Sequence, residues 1–256
     1  MSSRLLVDAA VMTAAALTAV GVVAYVINRR KPASRVDRYI SISSQLFRLQ
    51  RLEGALEAAR VALDLAAAEL TDSPEHCAAL HHLSAICTVA KRPSEALKLI
   101  DELIARLGRL HGEESDRLIP ALFAKAEILE ATEQPLALAA EQVARVREIR
   151  RKVSGANTME AAFASANLSS ILMRGAGESG LPAARRDGLL RQSVALCLEA
   201  CSVSTVSGNS AQAAMFAADA LKLLGDDQSK AGQEVLTKLR GAYAEAAGRE
   251  WHPGNA

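Results

Sequence analysis

The sequence predicts an all-α protein: a single N-terminal transmembrane helix followed by an α-solenoid of stacked helical hairpins. Three observations predict it. Half of the 256 residues are hydrophobic and only 3% are aromatic, with alanine and leucine dominant; both residues favour helices, and alanine is a poor strand former. Residues 9–27 carry no charge. Beyond residue 34, paired apolar-periodic segments return every 41–43 residues, the mark of a repeat architecture.

The uncharged run reads AAVMTAAALTAVGVVAYVI, and its 19 residues approach the ~30 Å hydrocarbon thickness at ~1.5 Å per residue. Tyr25 stands near its end, where a ring suits the interface. A cleaved signal peptide fits less well, since the leader holds Arg4 and Asp8 and the core runs straight into Arg29, Arg30 and Lys31. A buried core helix fits less well too, because the run is apolar on all sides. We therefore expect residues 1–31 to form an uncleaved signal anchor. Arg29, Arg30, Lys31 and Arg35 outweigh Arg4, which places the bulk of the chain in the cytosol. Such a short anchor with a basic flank is similar to those of mitochondrial outer-membrane receptors. The same features suit an endoplasmic-reticulum anchor, or an inner-membrane subunit of different sidedness.

A small residue marks one equivalent position in each repeat: Ser43, Ser84, Ala126 and Ser169. Small side chains there let the two helices of a hairpin approach closely. Ala55 and Ala96 stand twelve residues after Ser43 and Ser84, whereas Leu138, twelve after Ala126, departs from the pattern. Pro93 and Pro135 are 42 apart, each expected in the first turn of a second helix, where a missing N–H costs nothing. The expected helices are 35–49 with 52–70, 74–90 with 94–109, 115–132 with 135–152, and 158–174 with 184–205. A terminal pair, 209–224 and 228–247, closes the stack. Gly175, Gly177, Gly180 and Pro182 mark residues 174–188 as a loop insertion. The domain layout is thus an anchor over 1–31, a solenoid over 32–247 and a flexible tail over 248–256. Its pairs occupy about 35–71, 73–114, 115–156, 157–207 and 208–247.

Leu107-Gly108-Arg109-Leu110-His111-Gly112-Glu113 resembles the LG-x-x-HP turn of kinesin light chain-type tetratricopeptide repeats, with Gly112 in the place of proline. Val153-Ser154-Gly155-Ala156-Asn157-Thr158 looks like a worn copy, and Leu80-His81-His82-Leu83-Ser84 stands where that family has L-N-N-L-A. The resemblance covers residues 35–207. It implies a groove lined by the first helix of each pair. The positions are Ile40, Ser44, Phe47 and Arg48, then Ala78, His81, Ala85 and Thr88, then Phe123, Glu127 and Glu130, and finally Phe163, Ala166, Ser170, Met173 and Arg174. It also implies protein partners, as apolar or amphipathic helical segments. The alternative for Phe47, Phe123 and Phe163 is a place in the core. A clamp for acidic chaperone tails needs Lys and Asn donors, and Ile40, Ser44 and His82 supply it poorly.

Other chemistry is weakly supported. The net charge is +1, with no basic face of the kind nucleic acids require. Gly175-Ala176-Gly177-Glu178-Ser179-Gly180 has the spacing of a dinucleotide loop, but that site needs a preceding strand, and a helix precedes it here. Cys77, His81, His82 and Cys87 do not converge, since Cys87 lies ten residues beyond Cys77. Cys197 and Cys201 share one helix face and read as small buried residues of a reducing compartment. No cofactor and no small-molecule substrate is expected. The sequence therefore predicts a non-enzymatic, membrane-anchored scaffold or receptor for other proteins. The alternative is a stably bound accessory subunit of a larger, mitochondrial membrane complex.

Overall fold

The computed structural model describes residues 32–248, apart from 133, 226 and 228. The expected anchor over 1–31 lies outside the described residues. Among those described there is no strand. The helices are α1 (Pro32–Arg48), α2 (Leu52–Glu69), α3 (Pro74–Val89), α4 (Pro93–His111), α5 (Ile119–Glu130), α6 (Leu136–Val153), α7 (Met159–Ala176), α8 (Ala183–Val206), α9 (Ser210–Leu224) and α10 (Lys230–Ala247). The chain divides into two compact units, Met1–Ile86 and Cys87–Ala256, with the boundary inside α3.

In the first unit, α1 and α2 form an antiparallel hairpin. The Ser43 hydroxyl donates to the carbonyl of Ala55 (2.7 Å), and Arg35 pairs with Glu69 (3.0 Å) at the open end. Both Ser43 and Ala55 are fully buried, which is the close approach that small residues permit. Val36, Ala62, Ala66 and Ala79 form the core, flanked by Tyr39, Ile40 and Leu63.

In the second unit, α5 and α6, α7 and α8, and α9 and α10 pack as successive pairs. One core cluster joins α5 through α8 around Leu129, Val143, Ile171 and Leu172. Another joins α7 through α10 around Leu190, Val194, Ala217, Leu221 and Leu239. Arg147 of α6 staples three helices: its Nε donates to Ser165 of α7 (2.8 Å) and its Nη2 pairs with Glu199 of α8 (2.7 Å). The outer side of α10 is polar, with Gln233, Glu234, Thr237, Lys238 and Arg240 exposed. Ala183–Val206 is the described helix long and apolar enough to cross a membrane. Its apolar side faces the core formed with α7, α9 and α10.

The turns within the first two pairs share one closure. Gln50 and Lys91 adopt positive φ (59° and 56°). The following N–H reaches back five residues, Arg51 to the carbonyl of Leu46 and Arg92 to that of Cys87, which satisfies the helix end. Gly208 does the same after α8, where Asn209 N–H bonds the carbonyl of Ser204. The α8–α9 junction also repeats the α1–α2 contact, because the Cys201 thiol donates to the carbonyl of Ala213, again twelve residues on (3.3 Å).

The observed helices follow the expected map closely, as with Pro74–Val89 against 74–90. Four details differ. Residues expected to begin α5 form a 3-10 turn, Asp116–Leu118, capped by Ser115, and Pro120 sits in the first turn of α5. Pro135 precedes α6 in an extended conformation (ψ 130°) instead of lying in its first turn. Leu138 is 37% exposed; Ala139, at 0%, takes the small-residue place one position later. The loop expected over 174–188 shrinks to the stretch between Ala176 and Ala183. Gly175 is held inside α7 against Leu136, and Gly188 lies inside α8.

Candidate protein-binding face

In the second unit, the first helices of three pairs present exposed stripes. On α7 the stripe runs Glu160, Phe163, Asn167 and Arg174, with Ser170 half-buried; the three- and four-residue spacing keeps them on one side of a helix. On α5 it carries Glu127, with Phe123 and Glu130 half-buried, and on α9 it carries Met215, Asp219 and Lys222. Two contacts hold these helices side by side. Arg174 pairs with Glu130 of α5 (2.7 Å), and the Phe163 ring meets the edge of Phe216 of α9, with centroids 5.3 Å apart and planes at 90°. Phe216 is buried, so its ring is a fixed support, while Phe163 remains 42% exposed. This T-shaped geometry is favourable beyond simple burial.

The expected groove residues separate by burial. Phe163, Glu127 and Arg174 are exposed, and Phe123, Glu130 and Ser170 are half-buried. Phe123 also packs on the α5–α8 core. Met173 is a correction: it is 4% exposed and belongs to the core with Ala176, Leu190 and Ala220. One residue of register turns it inward and leaves Arg174 facing out. Ala166 is likewise buried in that core. Thr88 is half-buried. In the first unit, Arg48, Ala78, His81 and Ala85 are exposed, and Phe47 and Ser44 are half-buried. Ile40 packs against the Val36–Ala62 core, so it serves packing more than recognition. The sequence reading passed over Glu160, Asn167, Met215 and Asp219. Met215 and Asp219 belong to the terminal pair, for which the resemblance gives no groove positions, and Glu160 and Asn167 fall outside the positions it gives on α7.

Two constellations that look chemical are structural. Ser43 and His82 are 2.9 Å apart, but Ser43 is buried and its proton is committed to Ala55, so it is no nucleophile. Burial, and then the neighbouring His81, lower the pKa of His82. Cys197 donates to the carbonyl of Phe216 (3.5 Å). The adjacent Cys201, and then burial, push its thiol well above the ordinary range. Among the described residues no three His, Cys, Asp or Glu side chains gather as a metal site would require. The glycine string crosses from α7 into a loop. There Glu178 accepts the N–H of Leu136 (3.0 Å), capping α6 from outside its own hairpin.

A crevice of about 550 Å³ opens beside this cap, between Ala140 and Ala144 of α6, Leu168 and Leu172 of α7, and Leu189 of α8. It is lined mainly by apolar side chains, with Glu141, Arg185 and Gln192 among the polar ones.

No protein-family profile and no curated protein matches the chain. Solved structures do. A Podosopora anserina chain described as a kinesin light chain with nearly identical TPR-like repeats superposes with a TM-score of 0.63 at 16% identity. That match covers 86% of this chain and 100% of the other. A second crystal structure of that protein gives 0.62 at 16% identity, over 84% and 98%. BtubC (BKLC) from P. vanneervenii gives 0.52 at 14% identity, over 87% and 85%. At such identities the likeness speaks to fold alone, and the fold it identifies is the tetratricopeptide-like helical solenoid that the repeat spacing had indicated.

Proposed function

We propose that this chain is a non-enzymatic scaffold or receptor that binds other proteins, tethered to a membrane through residues 9–27 with its solenoid in the cytosol. The mitochondrial outer membrane is the favoured location. The observation that carries the binding role is the α5–α7–α9 face, where Phe163 is held on a buried aromatic yet stays 42% exposed. A large aromatic presented this way is the kind of anchor that dominates protein interfaces. The uncharged run and its basic flank support the tether and its orientation.

A second reading, a permanent subunit of a larger membrane complex, draws on apolar surface away from that face. Val206 is 86% exposed at the end of α8, and Leu138 and Val153 are exposed on α6. Co-purification in gentle detergent separates the two. Salt-sensitive, substoichiometric partners support the receptor, and a fixed-ratio complex supports the subunit. Crosslinking in the native membrane that places no partner on Phe163 or its neighbours would remove the receptor reading.

A further inference from the structure

Resting on the scaffold reading, we infer that the α5–α7–α9 face takes a cationic amphipathic helix of a partner protein. The inference is carried by charge and shape together. Phe163 and Met215 offer exposed apolar surface on adjacent first helices, joined through the Phe163–Phe216 contact. Glu127, Glu160 and Asp219 lie exposed on the same three stripes. No ion pair neutralises any of these carboxylates among the described residues. Arg174 adds no net charge, because it is spent on Glu130. Lys222 is the cation left on the α9 stripe, against three carboxylates. An apolar strip flanked by uncompensated negative charge complements a helix with Leu or Phe along one side and Lys or Arg along the other. Like-charged segments are repelled from it. An acidic peptide, a neutral apolar peptide and a second copy of this chain are the competing occupants.

The test uses the full chain in zwitterionic lipid nanodiscs, with empty nanodiscs as the blank. The probe is a labelled synthetic peptide of about 18 residues, roughly five helical turns, with leucines on one side and lysines and arginines on the other. Fluorescence anisotropy follows binding. The cationic peptide should bind, and added salt should weaken it. The triple change Glu127→Gln, Glu160→Gln and Asp219→Gln should raise Kd about tenfold, as several exposed pairs of modest strength would. Phe163→Ala should raise it comparably. Because Phe163→Ala also removes support from Phe216, the triple variant, confined to exposed positions, is the decisive one; circular dichroism checks that both remain helical. The inference is overturned if the glutamate-for-lysine peptide or a scrambled cationic peptide binds as tightly. It is also overturned if the triple variant binds unchanged, or if the face proves to be covered by a second copy in sedimentation. Absence of peptide binding while native crosslinks still reach a partner from Phe163 would sink the cationic helix and leave the scaffold reading standing.

Discussion

His82 Nε2 lies 2.9 Å from the Oγ of Ser43, and the other bond that Ser43 makes assigns the donor role to His82. The Ser43 proton already goes to the carbonyl of Ala55 at 2.7 Å, and a carbonyl cannot give one back. Nε2 must therefore carry hydrogen, and in the neutral ring Nδ1 is bare. The histidine thus ties α3 to the α1–α2 contact within the first unit.

A pH dependence follows from this arrangement. Burial and His81 hold the folded His82 below its ordinary value of 6.5, so the folded chain binds fewer protons than the unfolded one. The stabilising contribution is complete above about pH 6.5 and is lost as pH falls through the folded pKa. Thermal melts at pH 7.5 and pH 5.5 should show a fall in Tm on the order of 2 °C from this half-exposed group. The His82→Gln variant, which keeps a donor, should lack that component. An identical pH response in the two proteins would contradict the assignment.

Glu178 caps α6 through the N–H of Leu136 at 3.0 Å. Pro135 supplies no side-chain cap, so this carboxylate is what satisfies the first N–H of the helix. Glu178→Ala should cost about 1 kcal/mol, the usual cost of a lost cap, and lower Tm by about 2–4 °C. Glu178→Gln should retain most of that stability, since an amide oxygen still accepts. Equal losses in the two variants would mean that charge, and not the hydrogen bond, matters.

Lys91 and Gln50 hold left-handed backbone with φ of 56° and 59°. A side chain there is strained, and glycine is not. Lys91→Gly and Gln50→Gly should each stabilise the protein by about 0.5–1 kcal/mol. Chemical denaturation reads this as a higher midpoint with unchanged slope.

Gly232 opens the first turn of α10 beneath Asp227. A Cβ at this position would overlap the Asp227 carboxyl, which is held by the N–H of Ser229 (2.8 Å) and by Arg186 of α8. Gly232→Ala should destabilise by about 1–3 kcal/mol, as overpacking does, despite alanine's better helix propensity. Burial alone would raise the pKa of Asp227, but the Ser229 and Arg186 contacts outweigh it and hold the group below its ordinary 3.8. Its contribution is present above about pH 4 and lost as pH falls through the lowered value. Asp227→Asn should flatten that acid limb in melts between pH 5 and pH 2.5.

The helical pairs were legible because two local signals recur in step. A small residue sits where helices touch, as with Ser43 and Ala55, and a proline recurs 42 residues on at the start of a second helix, as at Pro93 and Pro135. What stayed hidden depends on partners distant in sequence. Gly175 reads as a loop residue until Leu136 is found against it. Met173 and Arg174 are adjacent, and only the packing of α7 against α8 and α9 decides that the first is core and the second faces Glu130. The binding face was half legible: on α7 the sequence marks Phe163, Ser170 and Arg174 but not Glu160 and Asn167. The stripe on α9 belongs to a pair with no recognisable motif, so Met215 and Asp219 went unmarked.

The bond from Leu136 to Glu178 spans 42 residues, one full repeat. The covalent module and the physical module are therefore out of phase. A hairpin excised at its apparent borders would leave α6 with a raw end, and a chimera swapping the fourth hairpin would have to carry a carboxylate at the same place. During synthesis the third hairpin is unfinished when its last helix leaves the ribosome, and it is completed only when the following loop arrives.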